Sequence, residues 1–309
     1  MKPILITCYV SPDLDGLAGI TAYAEFLTTT GRPAVAGIIG EPHDEAKYLL
    51  AHFNIPSPTQ INNADDYDQV ILVDSSELSG LEGKVAPEKV IEIIDHRKVN
   101  EADKFPNAKI QIELVGAAAT LITEKLKNNN FPLSKNAAIL LSGAIISNTF
   151  NFRAGLTTER DRAAAAWLND ITDLPADFWR ELFLAKSDLS GDKLQKRMEG
   201  DLAWFMLGGK KVGIAQIEII GAHKLVAERT AEIVKTLDKI KAENGFDIMF
   251  QNTVELDDVK NFFVANDEPT KKLLEKVLDV KFVGNVAERP NLIMRKQIVP
   301  LLKEELEKI

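Results

Sequence analysis

Asp13 and Asp15 stand two residues apart in Ser11-Pro12-Asp13-Leu14-Asp15-Gly16. Two carboxylates this close repel unless a cation lies between them, and a divalent metal is the usual solution. The competing reading is that one of the pair caps a following helix. Further along, the apolar run 68–76 ends at Asp74-Ser75-Ser76, and the run 90–97 ends at Asp95-His96-Arg97. Carboxylates with an imidazole suit Mn²⁺, Mg²⁺, Zn²⁺ or Fe²⁺, and ligand type alone does not choose among them. Asp95 either accepts the second ring N–H of His96 or lies beside it as a structural cap. His43 and His52 read as surface or helix-end residues.

These residues are useful only if the chain brings them together. Ile4 to Val10 is short, apolar and rich in β-branched residues, which predicts a buried strand. Leu17, Ile20, Ala24 and Leu27 share a face and predict a helix running to about Thr30. The first aspartate pair therefore sits in a strand-to-helix turn, stiffened by Pro12 and allowed to bend closely by Gly16. Pro33 to Gly40 predicts a second strand, and His43 to Phe53 a helix. The runs ending at Asp74 and Asp95 are continuously apolar, as central parallel strands covered on both faces are. In an open α/β sheet, ligands bind beyond the carboxyl ends of the strands. Asp13, Asp15, Asp74 and His96 are thus expected at one rim.

Val115-Gly116-Ala117-Ala118-Ala119-Thr120 opens a further helix, whose start either receives an anion or is simply tightly packed. The nearly uncharged stretch 134–147 predicts a buried helix ending at Asn148-Thr149. Thr158 and Asp161 have capping-box spacing, and Leu174-Pro175 precedes another helix. Residues 187–194 have linker composition, dividing a domain over 1–186 from a smaller one over 195–309. The latter should contain a hairpin (204–207 and 211–219), a helix over 222–243 and strands at 246–252 and 262–265. Short strands are expected at 280–283 and 292–294, then a terminal helix introduced by Arg295.

Composition narrows the function. The 309 residues are 45% hydrophobic and 27% charged, enough for two cored domains. A net charge of −9 argues against general nucleic-acid affinity, without excluding a local basic pocket for an anion. The lone cysteine, Cys8, forms no intramolecular disulfide and reads as a core residue. No signal peptide or membrane-spanning run is visible, so a cytoplasmic protein is expected.

Taken together, the chain resembles the DHH phosphoesterase superfamily, and within it the family II, manganese-dependent inorganic pyrophosphatases. The resemblance rests on Pro-Asp-Leu-Asp at 12–15, Val-Asp-Ser at 73–75, Ile-Asp-His at 94–96 and Val-Gly-Ala-Ala-Ala-Thr at 115–120. It continues through 140–149, 157–161 and 212–218 to Arg-Lys-Gln-Ile-Val-Pro at 295–300. It implies an α/β fold, with a parallel-sheet DHH domain followed by a smaller α/β DHHA2-type domain. It also implies one or two Mn²⁺ or Mg²⁺ ions that activate water for attack on a small phosphate substrate. Asp13, Asp15, Asp74 and His96 match the family's metal ligands, and Asn148 falls at another ligand position. Arg97 lies at a catalytic position, where it either takes part of the role of a missing metal or grips a phosphate bidentately. Arg295 and Lys296 match cationic substrate ligands, and a homodimer through an edge strand of the first domain is implied as well.

The chain departs from the family pattern at several positions. Tyr9 replaces a ligating His, and tyrosine is a poor ligand unless ionised. Arg97 replaces the second His of Asp-His-His. Asn148 replaces an Asp, which removes a negative charge. Ala203 replaces a phosphate-binding Lys, and Met294 replaces the first Arg of Arg-Lys-Lys-Gln. Two functions follow as expectations: a metal-dependent pyrophosphate hydrolase, or a catalytically impaired relative that binds a phosphate or nucleotide in a regulatory role. A nuclease would require a different second domain with a Gly-rich motif, which is not found.

Overall fold

The structure is a computed structural model describing every residue except Met1, Ser79, Val99 and Ile309. It divides into two compact units, Met1–Ala185 and Lys186–Ile309.

The first unit is built on strands β1 (Ile4–Thr7), β2 (Ala34–Ile38), β3 (Thr59–Gln60), β4 (Val70–Val73), β5 (Val90–Asp95) and β6 (Lys109–Ile112). They lie in the order β3-β2-β1-β4-β5-β6, with every pair parallel. Alternation along the strands separates two cores. Ile6, Ile71, Val73 and Ile94 pack with Leu17, Ile122 and Leu140. Those partners come from α1 (Leu14–Thr29), α3 (Ala118–Asn128) and α4 (Lys135–Asn148). Leu5, Val70, Leu72 and Ile93 pack on the other face with Leu81, Val85 and Phe105. Both faces are covered, which is why these strands read as unbroken apolar runs. The remaining helices of this unit are α2 (Asp44–His52), α5 (Glu159–Thr172) and α6 (Phe178–Ala185). Chain order reverses direction across the sheet between β1 and β4, and the crevice beyond such a reversal is where open α/β sheets place ligands. Asp13 and Asp15 follow β1, and Asp74 follows β4.

The second unit has its own sheet of β7 (Leu202–Leu207), β8 (Lys210–Ile219), β9 (Ile248–Glu255), β10 (Lys260–Val264), β11 (Phe282–Val283) and β12 (Val286–Pro290). The order is β11-β12-β10-β9-β8-β7. β8 and β9 are parallel, while their neighbours pair antiparallel. The parallel pair requires a crossover, supplied by α8 (Ala222–Asn244). Side chains of α7 (Lys193–Gly200) and α8 share one core with Ile217 and Ile219. Those of α9 (Glu268–Leu278) and α10 (Arg295–Leu306) share the opposite core with Val212, Ile214 and Phe250.

Several expectations change. Residues 292–294 form no strand, because the N–H and C=O of Ile293 are both taken by the Asn261 side chain. The strand that pairs with β10 lies upstream, at β12. Leu189 and Leu194, inside the stretch with linker composition, are buried in the core of the second unit. Among the described residues, no helix is long and apolar enough to cross a membrane.

Candidate metal centre

Asp13 and Asp15 divide the two roles that the sequence left open. Asp13 is the N-cap of α1, its Oδ1 accepting from the amides of Asp15 and Gly16 at 2.8 and 3.0 Å. Asp15 points its carboxylate at the start of α3, where Ala118 and Ala119 N–H each donate at 2.7 Å. The helix N-terminus does receive an anion, and that anion is the protein's own aspartate. The Asn148 amide nitrogen is a third donor to this carboxylate, reaching Oδ2 at 2.7 Å. Asn148 therefore orients a carboxylate of the cluster and stands directly beside it.

That cluster is Asp15, Asp74 and His96, whose donor atoms lie within 4.8 Å of one another. His96 Nε2 is 3.4 Å from Asp74 Oδ1 and 3.7 Å from Asp15 Oδ2. The other ring nitrogen, Nδ1, lies 3.0 Å from the Val115 carbonyl. Donation there leaves Nε2 as the nitrogen for a metal. Asp74 sits at φ 55°, in the left-handed region, directly after β4. Its buried Oδ1 has no hydrogen-bond partner of ordinary geometry and lies between two cationic side chains, His96 at 3.4 Å and Arg97 at 3.7 Å.

Asp161 holds the Val115 segment in place. It closes the capping box of α5 with Thr158 and also accepts from Gly116 N–H and the Thr120 hydroxyl. Gly116 is needed at this close approach, since a Cβ would lie 2.6 Å from Thr149 Cγ2 and 2.9 Å from Asp161 Oδ2.

Asp95 resolves as a cap. Its Oδ1 accepts from the His96 backbone N–H at 2.7 Å, and its Oδ2 accepts from the Ser76 hydroxyl. Arg97 reaches back over the same rim. Its Nη2 donates to the Asp74 carbonyl at 2.9 Å and lies 3.7 Å from Asp74 Oδ1, while Nε lies 3.7 Å from Asp95 Oδ1. The guanidinium is 5.2 Å from the centroid of the Tyr9 ring. The Tyr9 hydroxyl accepts from Asp13 N–H at 3.1 Å. Burial, with Asp13 and Asp74 nearby, raises the Tyr9 phenol above its ordinary pKa, so it stays neutral and is no phenolate ligand. Burial raises the Cys8 thiol likewise and makes it a core residue.

Electrostatically, the rim is crowded with negative charge. Burial, then Asp74 and Glu45, push the Asp13 carboxyl up to about 7. Asp15 and Asp95 are raised by burial and by Asp74. Burial opposes protonation of His96, but the hydrogen bond and charge of Asp74, with Asp15, prevail and push it up to about 10. The carboxyl shifts arise first from burial and then from crowding of like charge, and the His96 shift from the carboxylates beside it.

In the second unit, Arg295 is engaged: its guanidinium bonds the Asp201 carbonyl at 2.6 Å and the Asp201 carboxylate at 2.7 Å. Lys296 is exposed overall, yet partial desolvation holds its amine below the usual lysine pKa, with Glu218 pulling the other way. Both stand at the start of α10. That start is seated by a buried network that sequence reading missed, because asparagines in strands carry no periodic signal. Asn261 donates to Asn252 Oδ1 and to the Ile293 carbonyl, and accepts from Ile293 N–H. Gln216 Oε1 accepts from Asn252 and from Arg295 N–H. Asn261→Ala leaves these buried groups unpaired and is expected to cost about 3 kcal/mol. A urea midpoint equal to that of the parent would refute this.

Residues 3–145 match the family model for the DHH family, N-terminal domain, and residues 180–305 match that for the DHHA2 domain. The chain thus carries a DHH-family N-terminal domain followed by a DHHA2 domain. Over its full length it is similar to proteins called probable manganese-dependent inorganic pyrophosphatases. That from Bacillus cereus is 29% identical over 316 residues, covering 99% of this chain and 100% of the relative. That from Bacillus mycoides is 29% identical over 310 residues with the same coverage. A Methanococcus jannaschii crystal structure assigned to the family II inorganic pyrophosphatases superposes with a TM-score of 0.75 at 29% identity, covering 97% of this chain and 98% of that one.

Proposed function

We propose that the chain is a metal-dependent phosphohydrolase acting on pyrophosphate or a related small phosphate anhydride or ester. The observation that carries this reading is the convergence of the Asp15, Asp74 and His96 ligand atoms within 4.8 Å of one another. The full-length relatives support the substrate class and the metal. Two carboxylates and an imidazole fit Mn²⁺ or Mg²⁺. When bound, such an ion acidifies water and neutralises phosphoryl oxygens.

The chain's own residues prepare that chemistry. Asp15 is oriented by two amides of α3 and by Asn148, and the Val115 carbonyl fixes the His96 ring. Arg97 keeps a permanent positive charge at the rim. Lys296 presents a cation suited to phosphate oxygens, and Arg295 beside it adds a positive charge already tied to Asp201. The exposed apolar residues Ile110, in edge strand β6, and Leu114, just beyond it, support a homodimer through that edge, to be checked by light scattering.

Phosphate release from pyrophosphate is the test. Turnover with Mn²⁺ that is lost on chelation supports the hydrolase. Saturable Mn²⁺ binding without turnover supports the second reading, a phosphate-binding regulatory protein. That reading is favoured by Asn148, which gives Asp15 an N–H donor where a carboxylate would add charge.

A further inference from the structure

Asp74 borders two cation positions. On one side its Oδ1 faces His96 Nε2, with Asp15 completing the group. On the other it faces Arg97, whose guanidinium also approaches Asp95 Oδ1 at 3.7 Å and covers the Tyr9 ring. The arginine side chain is 33% exposed, and its charged end is held on three sides by Asp74, Asp95 and Tyr9. Resting on the reading of this centre as a divalent-metal site, we infer that it takes a single divalent ion, because the Arg97 guanidinium is a built-in second cation.

The donor chemistry on the Arg97 side supports this. A hard divalent ion needs several oxygen or nitrogen lone pairs. Arginine has none and does not lose its proton in proteins. The Tyr9 hydroxyl already accepts from Asp13 N–H, and its ring lies under the Arg97 guanidinium. Asp95 already accepts from Ser76 and from His96 N–H. Among the described residues, one group of His, Cys, Asp and Glu side chains converges closely enough to hold an ion. The charges agree with that geometry. Asp13, Asp15, Asp74 and Asp95 bring four carboxylates to the rim, and a fixed monovalent cation already offsets part of their charge. It also repels any ion that binds beside Asp74.

The experiment is calorimetric titration of the metal-stripped full-length protein with Mn²⁺, with metal content measured after gel filtration. The parent is expected to bind one Mn²⁺ per chain. Arg97→Met removes a positive charge next to the ion and should tighten that binding about tenfold or more. Arg97→Lys keeps the charge and should leave both stoichiometry and affinity close to the parent's. Two Mn²⁺ per chain in the parent would overturn the inference and leave the hydrolase reading intact. Unchanged or weakened affinity in an Arg97→Met variant with parental circular dichroism would also overturn it. Absence of any Mn²⁺ binding would instead remove the metal-site reading on which it rests.

Discussion

Asp74→Asn is expected to abolish saturable Mn²⁺ binding and to reduce metal-dependent phosphate release by about 10³-fold or more. The substitution keeps the shape and removes the charge. Asparagine tolerates the left-handed backbone that Asp74 adopts at φ 55°. The Asp74 carbonyl that receives Arg97 Nη2 and the amide that donates to Ile94 are main-chain groups, so both bonds persist. The change falls on Oδ1, the atom shared between His96 and Arg97. Isothermal titration, a phosphate-release assay and far-ultraviolet circular dichroism together check the expectation. Parental Mn²⁺ affinity in a folded variant would remove Asp74 from the centre.

The second large effect is on stability. A carboxyl whose folded pKa exceeds its unfolded value contributes stability below the unfolded value and loses it as pH rises through the folded one. Asp13 rises from 3.8 to about 7, and Asp15 and Asp95 shift in the same direction. His96, at about 10 against 6.5 unfolded, keeps its favourable contribution below 6.5 and loses it as pH climbs toward 10. All four act in one direction, so the metal-free protein should soften as pH rises from about 4 to 8. Asp13 alone is worth on the order of 4 kcal/mol, or about 10 °C in melting temperature. Mn²⁺ should reverse the trend, because its binding needs the ligands deprotonated and gains strength with pH. The melting-temperature gain on adding Mn²⁺ is therefore expected to be larger at pH 8 than at pH 5.5. Equal gains at both values, or a metal-free melting temperature that climbs between them, would contradict this.

Much of the first unit was readable because its strands are buried on both faces and end in acidic groups. β1, β4 and β5 announce themselves as apolar runs, and Asp15, Asp74 and His96 follow from where those runs stop. The division of labour between Asp13 and Asp15 was not readable. Whether a carboxylate caps its own helix or reaches another depends on α3, more than one hundred residues away in the chain. The same holds for His96, whose ring partner is a main-chain carbonyl and not Asp95. In the second unit, α9 went unread, although Asp267 with an early proline marks its start and Leu273, Leu274, Val277 and Leu278 fit one face. Strand β12 is harder, since Val-Ala-Glu-Arg-Pro alternates weakly and ends in proline.

The link from Asp161 through Gly116 to the Val115 carbonyl makes the imidazole's orientation depend on how firmly one distant helix end stays wound. Fraying of α5 at Thr158 would free the His96 ring to rotate while the central sheet remained intact. On gentle heating, such a protein would release its bound ion before it melted, and inactivation would run ahead of unfolding.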